Sequence, residues 1–320
     1  KGSDRWEPRV FLRRLAWRDL AYWFLWSFPD LAVRPLRPAY EKQWWEDPSK
    51  DGRLRAWQSG LTGFPLVDAA MRQLWVWGWM PNYLRHVVAG FLVEYLNVDW
   101  RHGEAWFHDT LVDADLAINA FMWQNGGHSG PDQWNFVMHP VNAAKSCDPE
   151  GAYVRRWVPE VALLPLPYLF SPWEATPTML VKANVRLVHC RPDPESPLTS
   201  SSTGTHKSGF HHRSHLGLGL STRKYPHRVV TDLPQARQRM HNAVHEVRRS
   251  AHVLPCGNEA LPLPRGLGVA RLITRVDWRH NEPSVVTVQT LAEQWDPRRG
   301  RAPLHTMRRL LHEEVNNATE

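Results

Sequence analysis

Apolar positions recur at helical spacing through most of the first half of the chain, and they predict a succession of helices rather than strands. Over residues 5–28, Phe11, Leu12, Leu15 and Leu20 form one stripe, and Arg5, Arg9 and Arg13, spaced by four, form another. The basic stripe reads as a solvated face, with a phosphate-facing edge as the sharper alternative. Residues 29–48 are a loop-rich connection carrying Trp44 and Trp45. Helices are predicted over 65–78 and 81–98, parted by Gly78-Trp-Met-Pro81, with Pro81 suited to a first helical turn. On the second, Asn82, Arg85 and His86 share a face in a run otherwise rich in Val, Ala, Phe and Leu. Residues 125–150 read as an irregular loop, and a short helix from Glu150 to Val161 stops at the Pro-rich 163–172.

The most informative pattern lies in Leu111–Gln124, read as part of one helix over 104–124 that ends at Gly126-Gly127. Asp115, Asn119 and Trp123 fall at i, i+4 and i+8 and so stack along one face. The other positions are mostly Leu, Ala, Ile, Phe and Met, which predicts a buried helix. A buried carboxylate is costly unless it is paired or meets a ligand's donors. A polar stripe ending in an indole therefore suggests a large polar-aromatic cofactor; a core helix with two acids facing solvent is the plainer alternative.

Periodicity fades over 190–222, where Ser, Thr, His, Gly and Pro dominate, and this reads as a linker or disordered insertion. Its His206, His211, His212 and His215 match no standard metal spacing, so no metal is expected. A helical pattern returns over 232–252, opened by Asp232 with Pro234 in the first turn. Beyond it, a short strand is read at Ala270–Val276 and a charged helix at Leu304–Val315. The fold class is all-α.

Composition sharpens this picture in two places. Of the 18 Trp in 320 residues, nearly all precede residue 174, which suits aromatic packing, electron hopping or base stacking. The net charge of +7 is uneven: residues 1–175 hold 18 basic and 20 acidic side chains, and the remainder 21 and 12. The excess positive charge therefore sits in the C-terminal part, so the net charge points to nucleic-acid or acidic partners for the tail and not for the core. Cys147, Cys190 and Cys256 show neither metal nor disulfide spacing, which fits a reducing compartment. No apolar run reaches membrane-spanning length and no signal peptide is visible. The chain opens Lys-Gly-Ser and its first Met is Met71, so it reads as a fragment.

Residues 8–173 resemble the FAD-binding helical domain of the DNA photolyase/cryptochrome family. The matching strings include Phe11-Leu-Arg-Arg-Leu-Ala-Trp-Arg-Asp19, Ala56-Trp-Gln-Ser-Gly-Leu-Thr-Gly-Phe-Pro65, Gly78-Trp-Met-Pro-Asn-Tyr-Leu-Arg85, Val98-Asp-Trp-Arg101, Leu111–Gln124, the run from Cys147 to Glu160, and Ser171-Pro-Trp173. On this resemblance 1–175 is the FAD-binding domain without its N-terminal part, and 176–224 an insertion. Residues 225–252 supply the domain's final helix, and 253–320 a basic extension. The resemblance implies FAD held by Arg18, Asn82, Arg85, Asp113, Ala114, Asp115 and Asn119, with Arg85 pairing with Asp113. It places Asn119 facing flavin N5, where plant cryptochromes carry Asp, so an anionic or slowly protonated reduced flavin is expected. Trp123, Trp100 and Trp44 match the electron-transfer triad from cofactor outwards; Trp45 is the neighbouring alternative to Trp44.

Two positions depart from pyrimidine-dimer repair enzymes. Arg14 stands where they carry a Glu, three before Trp17, and the phosphate-contacting Arg falls at Phe136. Trp17, Arg14 and His86 would line the substrate cavity. His86 matches one of two histidines of six-four photolyases, the other position being Asn82. The loop Gly126–Pro140 is similar to the plant-like cryptochrome and photolyase-related branch. The implied function is a blue-light photoreceptor that signals through a changed flavin state. Light-driven repair of DNA lesions, by a deoxyribodipyrimidine photo-lyase type enzyme, is the alternative, and a degenerate homologue without FAD the third. DNA, its contact weakened by Arg14 and Phe136, and a signalling protein on the basic tail are the partners considered. The antenna pigment is left open, as is the location among nucleus, cytoplasm and plastid.

Overall fold

In a computed structural model, residues 9–49, 51–131, 138–189 and 222–250 are described, with the backbone of 258–262 and 269–273. The architecture is helical, as the apolar spacing predicts. The helices are α1 (Arg9–Ser27), α2 (Arg53–Ser59), α3 (Pro65–Trp77), α4 (Asn82–Gly90), α5 (Trp100–Thr110), α6 (Leu116–Gly126), α7 (Pro140–Cys147), α8 (Ala152–Trp157), α9 (Pro177–Lys182) and α10 (Leu233–Ser250). A π-helical turn over Phe91–Tyr95 follows α4, and short 3₁₀ turns cover Pro38–Lys42, Pro159–Val161 and Pro172–Glu174. Two small strand pairs complete the described residues. The pair β1 (Val185–Val188) and β2 (Arg223–Pro226) is parallel; β3 (Asn258–Pro262) and β4 (Val269–Ile273) are antiparallel.

Several elements differ from the sequence reading. The span 104–124 is not one helix: α5 ends at Thr110 and α6 starts at Leu116, because the Asp115 carboxylate accepts from the Ile118 amide at 3.0 Å and caps a new helix. Asp115 thus precedes the helix whose face it was expected to share. The stretch 125–150 contains α7, begun by Pro140 after a His139 cap and buried through Ala143 and Ala144. Neither β1 nor β2 was legible, and the strand read at Ala270–Val276 overlaps β4, which starts one residue earlier, ends at Ile273 and pairs with β3. The expected helix at Leu304–Val315, the histidines 206–215 and Phe136 lie outside the described residues.

The chain forms two compact units, each assembled from separated stretches. The first takes its described residues from Lys1–Glu46, Ala89–Val137 and Asp232–Glu320. Here α1 packs on α6 around Ala21, Phe24, Leu31, Leu36, Ala117, Ala120 and Phe121. Each fully buried Leu or Phe of this kind contributes about 1.5–3 kcal/mol. The Gln124 side chain ties the loop after α1 to α6: its amide donates to the carbonyls of Leu31 and Arg34 at 2.7 and 2.6 Å and its oxygen accepts from the Leu36 amide at 3.0 Å. The helix α10 is held by the Asn97 amide donating to the Ala236 carbonyl at 3.4 Å and by Arg248 donating to the Tyr40 hydroxyl at 3.1 Å.

The second unit spans Asp47–Val88 and Met138–Thr231, where α3 packs against α2, α7 and α8. Pro65 opens α3 and Gly78, in the left-handed conformation, closes it. Asp68, fully buried in the first turn of α3, accepts from the Thr62 amide and hydroxyl at 2.7 and 2.6 Å, the Gly63 amide at 3.1 Å and the Tyr225 hydroxyl at 2.6 Å. Gly63 has φ +80, and a Cβ there would stand 2.7 Å from the Arg228 backbone, so only glycine fits.

Candidate functional site

The site residues of the first unit gather where α1, α5 and α6 meet. Asp115 ends the turn 111–115 with its carboxylate about a quarter exposed. One oxygen caps α6; the other accepts from the Tyr22 hydroxyl at 3.0 Å and lies 3.6 Å from Arg18 Nε. The Arg18 guanidinium in turn sits over the Tyr22 ring, 5.0 Å from its centroid. One acid, one cation and one phenol are therefore locked together at the start of α6. Asp113 is exposed in the same turn and Ala114 beside it is half-buried.

Asn119, one turn into α6, is buried. Both hydrogens of its amide are used on Glu104 of α5, one on the backbone carbonyl and one on carboxylate Oε1, each at 2.9 Å. With both donors committed, its oxygen has no hydrogen-bond partner among the described residues and stands ready to accept. Burial pushes the Glu104 carboxyl above its ordinary value, Asp109 pushing the same way, while the Asn119 hydrogen bond and His108 oppose.

Four residues on, Trp123 is 3% exposed and its indole meets Phe107 edge-on at 5.1 Å. Trp100, at the start of α5, is 1% exposed. Gly127 touches both: its amide donates to the Trp123 carbonyl at 2.8 Å, and a Cβ on it would lie 2.3 Å from the Trp100 ring. Gly103 likewise leaves room for Trp123, since a Cβ there would stand 2.1 Å from the indole. Trp44 is half exposed, and Trp45 less so. Two of the three indoles are thus sealed and the third is half exposed.

Trp17 packs on Phe121 with centroids 5.7 Å apart, and Arg14 is exposed on α1. Asn82, Arg85 and His86 belong to the second unit: Asn82 is exposed at the start of α4, His86 is half-buried, and Arg85 Nε donates to the Met80 carbonyl at 3.1 Å. The structure adds two residues that the sequence reading missed. Tyr22 had a local signal, since it lies four after Arg18 and so shares its face. Glu104 had none, because it meets Asn119 fifteen positions away.

This donor set fits FAD. A flavin dinucleotide presents ring N–H groups, carbonyls and ribose hydroxyls together, and the site answers with an accepting carboxylate, a guanidinium and an accepting amide oxygen. The comparisons agree with that chemistry. The FAD binding domain of DNA photolyase matches residues 11–246. A deoxyribodipyrimidine photo-lyase from Agrobacterium fabrum is 42% identical over 186 residues, covering 58% of this chain and 38% of the relative. Cryptochrome-1 of Sinapis alba is 38% identical over 188 residues, covering 58% and 37%. In solved structures, a class III photolyase from Agrobacterium tumefaciens superposes with a TM-score of 0.59 at 36% identity, over 75% of this chain and 42% of that one. The chain thus spans less than half the length of the relatives it matches. Because the family match runs through most of the chain, from α1 into α10, the chain belongs to the photolyase/cryptochrome family and carries that family's FAD-binding domain.

Proposed function

We propose that this domain holds FAD and acts as a blue-light photoreceptor, its flavin refilled with electrons along Trp44, Trp100 and Trp123. The observation that carries the reading is the burial of Trp123 and Trp100 beside a half-exposed Trp44, with Gly103 packed against the Trp123 indole and Gly127 against the Trp100 ring. Oxidising an indole is difficult, so hops between neighbouring rings replace one long transfer. A sealed pair protects the hole from water until the exposed ring passes it to solvent. When bound, FAD supplies the light absorption and the one-electron chemistry.

The chain's own groups orient and tune it. Asp115 and Arg18 form an ion pair that Tyr22 braces, and Asp113 and Ala114 line the same turn. Glu104 fixes the Asn119 amide, leaving its oxygen as an acceptor. An amide has no acidic proton to give, so with Asn119 at the position the family sets beside the flavin the reduced ring is expected to be anionic or slowly protonated.

The test is an absorption spectrum of the chain supplied with FAD, before and after blue light with a thiol donor. Retained, structured flavin bands that bleach in the wild type and persist in Trp123→Phe support the reading. Loss of all flavin on desalting, or unchanged bleaching in Trp123→Phe, overturns it.

A second reading, light-driven repair of DNA, is favoured by the relatives named deoxyribodipyrimidine photo-lyase, at 42% and 45% identity. Arg14 opposes it, since an exposed guanidinium replaces the expected carboxyl. Blue-light reversal of a cyclobutane dimer in a defined oligonucleotide would decide for repair, and an unchanged lesion would leave the photoreceptor.

A further inference from the structure

We propose that His241 and His245 on α10 form a two-histidine chelate for a divalent transition-metal cation, Cu²⁺ or Ni²⁺ in preference to Zn²⁺. The two residues are one helical turn apart, so their rings share a face, and both are exposed to solvent. Their Nε2 atoms lie 3.0 Å apart with the ring planes tilted by 58°. Metal–imidazole bonds are about 2.0–2.1 Å long. A cation bridging nitrogens 3.0 Å apart therefore subtends an N–metal–N angle of roughly 95°. That is the angle of adjacent ligands in a tetragonal or octahedral shell, the preference of Cu²⁺ and Ni²⁺. A tetrahedral Zn²⁺ site would need nitrogens about 3.3–3.4 Å apart at the same bond length.

Among the described residues no third His, Cys, Asp or Glu completes the shell, so water takes the remaining positions. The surrounding charges are mixed. Arg237 and Arg248 act on His241 as cations and Glu94 as an anion. They set the affinity below that of a closed structural site without blocking access. The plainer use of the contact is a proton shared between the two rings, which a metal displaces once each ring carries its hydrogen on Nδ1.

Because α10 is already pinned to its unit through Ala236 and Arg248, a cation across this turn would stabilise a helix that is docked. The proposal is independent of flavin, and its test needs none. The untagged chain is titrated with Cu²⁺, Ni²⁺ and Zn²⁺, and binding is followed by calorimetry, by thermal unfolding and by Cu²⁺ EPR. One equivalent with two-nitrogen hyperfine splitting, a raised melting temperature reversed by chelator, and Ni²⁺ binding more tightly than Zn²⁺ are expected. His245→Ala and His241→Ala should each weaken that equivalent by roughly tenfold or more. Their helix content checks that the fold is kept. A companion variant with His206, His211, His212 and His215 replaced by Ser should retain the site. If that variant abolishes binding while His245→Ala does not, or if Zn²⁺ binds at least as tightly as Ni²⁺, the assignment is overturned.

Discussion

Asn119 and Glu104 define the chemistry of the interior at the scale of single residues. A buried amide with both hydrogens committed to one partner has a fixed orientation, and here that partner is itself a buried acid. Burial raises the Glu104 carboxyl above its value in the unfolded chain, so the folded protein binds this proton more readily. Its contribution to stability is therefore fully present below the unfolded value and is lost as pH rises through the raised folded one. Glu104→Gln keeps an oxygen for Asn119 and removes the titration. Urea unfolding should find the variant more stable than the wild type at pH 7.5, with the gain shrinking toward pH 4; an equal gain at both would contradict a buried, raised acid. The glycines beside the two indoles give a sharper test. A methyl at Gly127 would drive into the Trp100 ring, and overpacking of this kind costs about 1–3 kcal/mol. Gly127→Ala should lower stability by that amount and slow flavin photoreduction. An adjustment that left photoreduction at the wild-type rate would show that the Trp100 position is not critical.

Between elements, the decisive event is the break at 111–115. Asp115 serves α6 as its cap and the candidate site as its carboxylate, and substitution can separate these duties. Asp115→Ala loses the cap and should cost about 1 kcal/mol in thermal or urea unfolding. Asp115→Asn still caps, so its stability should stay close to wild type while FAD retention falls with the lost charge. Equal FAD retention in both proteins would remove Asp115 from the site. The same residue shows why the sequence was only partly readable. Helices α3 and α10 were legible from apolar spacing, whereas on α1 the stripe Phe11, Leu12, Leu15 and Leu20 is exposed and the buried apolar positions are Ala21 and Phe24. The run Leu111–Gln124 stays largely apolar through the break, and it is divided where the Asp115 carboxylate accepts from the Ile118 amide. Helix α7 was missed because it is short, and Ala143 and Ala144 declare their burial only when α3 lies against them. The order of candidate residues along the chain was visible, but the meeting of Asn119 with Glu104 and of Gly127 with Trp100 depends on how α5 turns back beside α6.

For the molecule as a whole, the segment after residue 221 is the least expected part of the second unit and one of its most necessary. Strand β2 lies parallel to β1, the Arg223 side chain donates to the Pro159 carbonyl at 2.8 Å, and the Val229 amide donates to the Thr62 carbonyl at 2.9 Å. The Tyr225 hydroxyl closes the shell of donors around Asp68. Removing that hydroxyl leaves a buried carboxylate one donor short, so Tyr225→Phe should destabilise by about 1–3 kcal/mol, read as a lower urea midpoint. What lies between the strands matters for its length. A parallel pair returns the chain to its starting end, over roughly 13 Å for four residues at about 3.3 Å each, plus the ~4.8 Å step sideways. Even a fully extended connection needs about five residues for that, and natural crossovers use a dozen or more. Residues 190–221 far exceed this minimum. Replacing them with a twelve-residue Gly/Ser linker should therefore keep β1 and β2 paired and stabilise the unit by just under ~1 kcal/mol through the shorter loop. Deleting them outright leaves only His189 and Thr222, which cannot span the return, and should release Tyr225 from Asp68 and unfold the unit. A twelve-residue version that unfolds like the deletion would mean that the intervening sequence contributes contacts of its own, beyond the connection it provides.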